Sequence, residues 1–100
     1  MNMQAMLAQA QKMQRDLKRA HEELAEKEFV VSKNGLVTVT VYGDKQLKSV
    51  DIDEDALEKD NKEMIEEAIV LAYNDALEQI ENAIEEINLK ITGRREGLGM

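Results

Sequence analysis

The stretch from residue 29 to 53 limits the folds open to this chain more than any other, because it is poor helix and good half-buried strand. β-Branched residues alternate with polar ones through 29–33, 36–41 and 46–53, and turn-forming residues separate the three runs. Asn34-Gly35 between two such runs is a strong hairpin signal, since both central residues of a type I′ turn need positive φ. A two-residue loop sets Lys33 opposite Leu36, Ser32 opposite Val37, Val31 opposite Thr38 and Val30 opposite Val39. Val30, Val37, Val39 and Val41 then share one face, joined by Val50 and Ile52 after a turn at Gly43-Asp44. Phe29, Val31, Leu36, Thr38 and Thr40 share the other, with Leu47. That second face is too apolar for water alone and is the expected dimer interface. The prediction is a three-stranded antiparallel meander with strands at about 28–33, 36–42 and 46–52.

Helical patterning runs away from this meander on both sides. Met3, Met6, Ala10, Met13, Leu17, Ala20 and Leu24 alternate spacings of three and four, a heptad seam on a helix of about 2–27. After the sheet, residues 53–59 predict a short helical turn anchored by Leu57. Asp60 and Glu63 have capping-box spacing and open a long helix over about 60–91. Its apolar positions Ile65, Ile69, Ala72, Ala76, Ile80, Ala83, Ile87 and Ile91 recur at just under 3.75 residues, and Leu71, Leu77 and Ile84 widen the stripe. Such a helix is about 45 Å long, whereas six- or seven-residue strands reach only about 20–23 Å. Its overhang must meet the first helix, another chain, or both, and a homodimer is the economical solution. The fold class expected is α+β in one domain, 1–92, followed by a glycine-rich tail, 93–100, read as frayed.

No cysteine, a single histidine and the absence of phosphate-loop or nucleophile-elbow patterns argue against an enzyme, and no cofactor, metal or small-molecule substrate is expected. Four acids within residues 53–58 lack the mid-loop glycine and terminal bidentate Glu of a calcium loop, so they read as solvated acids near helix starts. No apolar run is long enough to span a membrane, and the composition suits a cytoplasmic protein. His21 sits beside the seam and reads as a packed or hydrogen-bonded side chain.

Net charge is −8, which taken alone opposes nucleic-acid binding. The distribution matters more. Residues 1–20 carry Lys12, Arg15, Lys18 and Arg19 against Asp16, whereas 51–87 carry fourteen acids against Lys59 and Lys62, and the end turns basic again at Lys90, Arg94 and Arg95. On the heptad, Lys12, Arg15, Lys18 and Arg19 project opposite the seam. That stripe reads either as a solvated outer face or as a phosphate-contacting one.

The order of parts and several local strings resemble the YbaB/EbfC family of bacterial nucleoid-associated proteins. The strings are Met6-Leu7-Ala8-Gln9-Ala10-Gln11-Lys12-Met13-Gln14, Gly35-Leu36-Val37-Thr38-Val39, Val50-Asp51-Ile52-Asp53 and Ala72-Tyr73-Asn74-Asp75-Ala76. The resemblance implies a helix, sheet, helix protomer that dimerises with its helices projecting like tweezers and binds double-stranded DNA in the nucleoid with little sequence preference. It assigns DNA contact to Lys12, Arg15, Lys18 and Arg19, and also to Lys90, Arg94 and Arg95. Asn74 and Asp75 read instead as a helix-to-sheet or interhelix contact. The competing reading is a clamp similar in outline to prefoldin subunits, holding a client or adaptor protein on its apolar seams without binding DNA.

Overall fold

A computed structural model describes residues 2–93. In chain order it contains α1 (Met3–Glu26), β1 (Glu28–Lys33), β2 (Val37–Tyr42), β3 (Leu47–Ile52), short 3-10 turns at Glu54–Ala56 and Lys59–Asn61, and α2 (Lys62–Thr92). The strands form one antiparallel sheet in the order β1-β2-β3. The α+β arrangement expected from the sequence is therefore present. Of the expected frayed tail only Gly93 is described, and Arg94, Arg95 and the residues after them lie outside the described residues.

The Asn-Gly turn forms as expected, with Asn34 at φ 55° and Gly35 at φ 66° and the Leu36 N–H donating to the Lys33 carbonyl at 2.9 Å. The pairing beyond it is displaced by one residue. Lys33 lies opposite Val37, Ser32 opposite Thr38, Val31 opposite Val39 and Val30 opposite Thr40. Leu36 drops out of the β1 ladder, and its carbonyl instead accepts from the Asp53 N–H at 2.9 Å. Because side chains alternate, this single displacement turns all of β1 over. Val31 joins Val37, Val39 and Val41 in the core with Phe29 packed against it, while Val30 is 56% exposed. The expected register would have buried Val30 and left Phe29 and Val31 outside. One more large apolar side chain under cover is worth roughly 1.5–3 kcal/mol, enough to decide the register. The face expected to gather Phe29, Val31, Leu36, Thr38 and Thr40 is thereby split. Phe29, Val31 and Leu36 serve the protomer's own core, and Thr38 and Thr40 share the opposite face with Val30.

The second turn is a three-residue loop. The Lys45 N–H donates to the Tyr42 carbonyl at 2.7 Å, and Lys45 takes φ 75°, the left-handed position such loops need. A bulge follows, since Thr40 faces Ser49 but Val41 faces Leu47, leaving Lys48 as the extra residue.

α2 covers one face of the sheet, chiefly over β1 and β2. Ile65, Ala68, Ala72, Ala76 and Ile80 are its buried apolar residues, and three alanines in succession bring its backbone close to the valines beneath. Two local expectations fail at its entrance. Leu57 is 61% exposed and Ala56 is the buried anchor. Asp60 lies within a 3-10 turn, so Asn61 occupies the N-cap and its amide donates to the Ala56 carbonyl at 3.0 Å rather than capping the helix. The far end stops at Gly93, whose φ of 78° and N–H bond to the Leu89 carbonyl at 2.8 Å make a left-handed C-terminal cap.

Candidate nucleic-acid interface

Two contacts set the direction of α1. At its C-terminal end the backbone runs against the β2–β3 turn: the Gly43 N–H donates to the Lys27 carbonyl at 2.9 Å, and a Cβ on Gly43 would lie 1.8 Å from the Leu24 carbonyl oxygen. Further out, His21 Nε2 meets Asn88 Oδ1 at 3.1 Å, tying α1 to the part of α2 that has passed beyond the sheet. Asn88 is 4% exposed and His21 is exposed, so this polar pair lies at the edge of the helix–helix contact, with His21 hydrogen-bonded as expected. The helices leave the sheet side by side and antiparallel, and burial along the seam fades outward. Leu24 is buried, Leu17 and Met13 are half-buried, and Met6 and Met3 stand in solvent. The Asn2 side chain caps the outer end, accepting from the N–H groups of Gln4 and Ala5.

The cations ride on the solvent side of this arm, and Lys12, Arg15, Lys18 and Arg19 are all exposed. Lys12 Nζ pairs with Asp16 Oδ2 at 2.8 Å, one turn on. The hydrogen bond from Lys12 holds the Asp16 carboxyl below its ordinary pKa against the opposing effect of desolvation, and the charges of Lys12, Arg19 and Arg15 add to the lowering. Lys33, Lys45, Lys48 and Lys62 are each held by a carboxylate, from Asp75, Glu81, Glu28 and Glu66 respectively. Among the described residues Arg15, Lys18, Arg19, Lys27 and Lys90 form no ion pair, and all five belong to the arm or to the helix beside it. Lys59, after the sheet, is the other unpaired lysine.

An open groove of about 840 Å³ runs between α1 and the outer part of α2. Met13, Ala20, Leu24, Ala83, Ile87 and Ile91 supply its apolar lining, while Lys12, Arg19, Lys27 and Lys90 bring cations to it, interspersed with Asp16, Glu23 and Glu86. Folding thus brings Lys90 beside Lys12 and Arg19, residues more than seventy positions away in sequence. Lys27 joins them and was not singled out from the sequence. It occupies the C-cap of α1, where the heptad would place a seam residue, so an argument from the face opposite the seam passes over it. The Asp75 carboxylate grips Lys33, the helix-to-sheet contact anticipated for that string, and Asn74 is exposed. Among the described residues no cluster of His, Asp or Glu could hold a metal ion, and no helix is long and apolar enough to cross a membrane.

Comparison with known proteins gives one consistent result. A profile of the YbaB/EbfC DNA-binding family matches residues 1–95. A nucleoid-associated protein of Lactococcus lactis subsp. lactis is 44% identical over 87 residues, covering 86% of this chain and 88% of the relative. One from Enterococcus faecalis is 42% identical over 85 residues, covering 84% and 82%. Among solved structures, an uncharacterized protein from Helicobacter pylori superposes with a TM-score of 0.74 at 20% identity, over 93% of this chain and 99% of the other, a likeness of fold alone.

Proposed function

This chain belongs to the YbaB/EbfC DNA-binding family, and from that premise we propose that it is a nucleoid-associated protein binding double-stranded DNA with little sequence preference. The observation that carries the reading is the distribution of unpaired cations. Lysines on the sheet are neutralised locally, whereas Arg15, Lys18 and Arg19 on the arm, with Lys90 nearby, remain available to phosphate. Lys12 is shared with Asp16 and contributes less at rest. Arg94 and Arg95 extend the same chemistry beyond the described residues. Exposed cations on a smooth helix face contact phosphate oxygens without reading base edges, which gives affinity that falls steeply with salt and little discrimination between sequences.

The working unit in this reading is a homodimer. Met3, Met6 and Leu7 are 82%, 54% and 60% exposed, so the outer seam lacks a partner within the protomer. A second copy is the simplest cover. With Phe29, Val31 and Leu36 engaged inside the protomer, the outer seam and the open sheet face bearing Val30, Thr38 and Thr40 are the surfaces left for it. Two arms then present cations to one duplex, which suits a nucleoid location and a part in chromosome organisation.

Gel-shift titration on random duplex at two salt concentrations tests the proposal. Wild type should show retention with a log–log salt slope of about −4 for each protomer engaged through four cations. Lys12→Glu with Arg15→Glu and Arg19→Glu should lower low-salt affinity by at least about tenfold and flatten the slope by about 3, with the dimer unchanged by sedimentation. Wild type that shows no salt-sensitive retention would sink the reading and favour the protein-binding clamp.

A further inference from the structure

The arm's cations have a counterpart on the far side of the molecule. α2 buries Ile65, Ala68, Ala72, Ala76 and Ile80, so helical geometry directs Glu63, Glu67, Glu78 and Glu85 to the opposite side, away from the sheet. Among the described residues none of these four forms an ion pair. They recur in whole turns, at intervals of four, eleven and seven residues, and exposed Val70 and Leu71 lie between them at 58% and 45% accessibility. Arg15, Lys18 and Arg19 cluster within little more than one turn of α1.

One chain cannot bring these two surfaces together. Arg15 and Lys18 stand clear of the groove that α1 makes with α2, Arg19 lies at its edge, and the α2 acids point away from the sheet and its valines. We propose that the acidic outer face of α2 is a docking surface for the cationic arm of a second copy of this chain. The contact is a charge-matched, salt-labile one, separate from the apolar contact that would hold the dimer. A compact cluster of cations on one helix lies against unpaired acids on the other, and Val70 and Leu71 give the contact an apolar centre. Each assembled unit has both surfaces, so the contact is head-to-tail and repeats into chains of units. DNA and the acidic helix then compete for the same cations, so free protein self-associates and duplex draws the arms away.

Net charge supplies a test of opposite sign. Copies carrying −8 each repel one another, and added salt should relieve that repulsion. Matched faces predict the reverse. Sedimentation velocity of the full chain without DNA, at about 20 mM and about 500 mM salt, distinguishes the two through the change in Debye length. The expected result is a sedimentation coefficient that rises with protein concentration at low salt and becomes independent of it at high salt. Glu67→Gln with Glu78→Gln and Glu85→Gln should abolish that rise while leaving gel retention of duplex intact. An identical coefficient at both salts, association that survives high salt, or a triple variant that associates like wild type would each overturn the inference. The two proposals fail separately, since absent DNA retention with salt-labile association preserved strikes only the function reading.

Discussion

At the scale of single residues, Asp16 and Gly43 show how much one side chain, or the lack of one, controls the arm. Asp16 holds Lys12 in an ion pair, and its depressed pKa means the pair is present at neutral pH and lost only as pH falls through that lowered value, below the ordinary carboxylate range. Asp16→Asn should therefore release Lys12, remove one repelling charge and raise affinity for random duplex about two- to tenfold at pH 7, read by gel shift. Because the pair is exposed, melting behaviour should hardly move. Gly43 acts through space. The 1.8 Å gap between a would-be Cβ and the Leu24 carbonyl oxygen is backbone against side chain, so no rotamer change relieves it. Gly43→Ala should cost about 1–3 kcal/mol in urea unfolding, or more if the end of α1 must shift bodily. From sequence Gly43 is only a turn residue. Its closer duty depends on which backbone crosses the turn, and nothing in residues 42–46 encodes that.

At the scale of elements, each helix and strand was legible, and the errors fall where local rules compete with burial. The type I′ signal at Asn34-Gly35 predicts the turn that forms, yet the strand after it slips by one because Phe29 and Val31 together outweigh Val30 as core residues. Periodicity cannot reveal that slip, since β1 carries apolar residues at 29, 30 and 31 and either phase looks acceptable. The turn remains under strict backbone demand. Gly35→Val puts a β-branched residue at φ 66° and should lower stability by about 1–2 kcal/mol, measured as a shift in the urea midpoint without change in slope. The capping box at Asp60 fails because Asp60 is taken into the 3-10 turn Lys59–Asn61, whose Asn61 amide bonds the Ala56 carbonyl instead of capping the helix.

At the scale of the whole molecule, the protomer is far from compact. Its Cα radius of gyration is 19.1 Å and its extents are 70 × 26 × 14 Å, whereas a globule of 100 residues has a radius near 13 Å. In the proposed homodimer a second copy covers the methionines exposed along the outer seam and adds to the protomer's stability. The melting temperature should consequently rise by several degrees as protomer concentration is raised about a hundredfold, checked by scanning calorimetry. A concentration-independent melt would argue for a self-sufficient monomer.

The sequence by itself determined the element order, the antiparallel meander and the clustering of Lys12, Arg15, Lys18 and Arg19 off the seam of α1, because periods of 2 and 3.5 residues are local properties of a chain. Only the tertiary structure decided which face of β1 is inside, that Lys27 and Lys90 stand with Lys12 and Arg19 along one groove, and that the sheet's lysines are neutralised while Arg15, Lys18 and Arg19 on the arm are not. Those outcomes turn on distances between segments far apart in the chain. Such distances are set by competition for buried area and by close backbone approaches such as Gly43 against Leu24, and neither is written in any one stretch of residues.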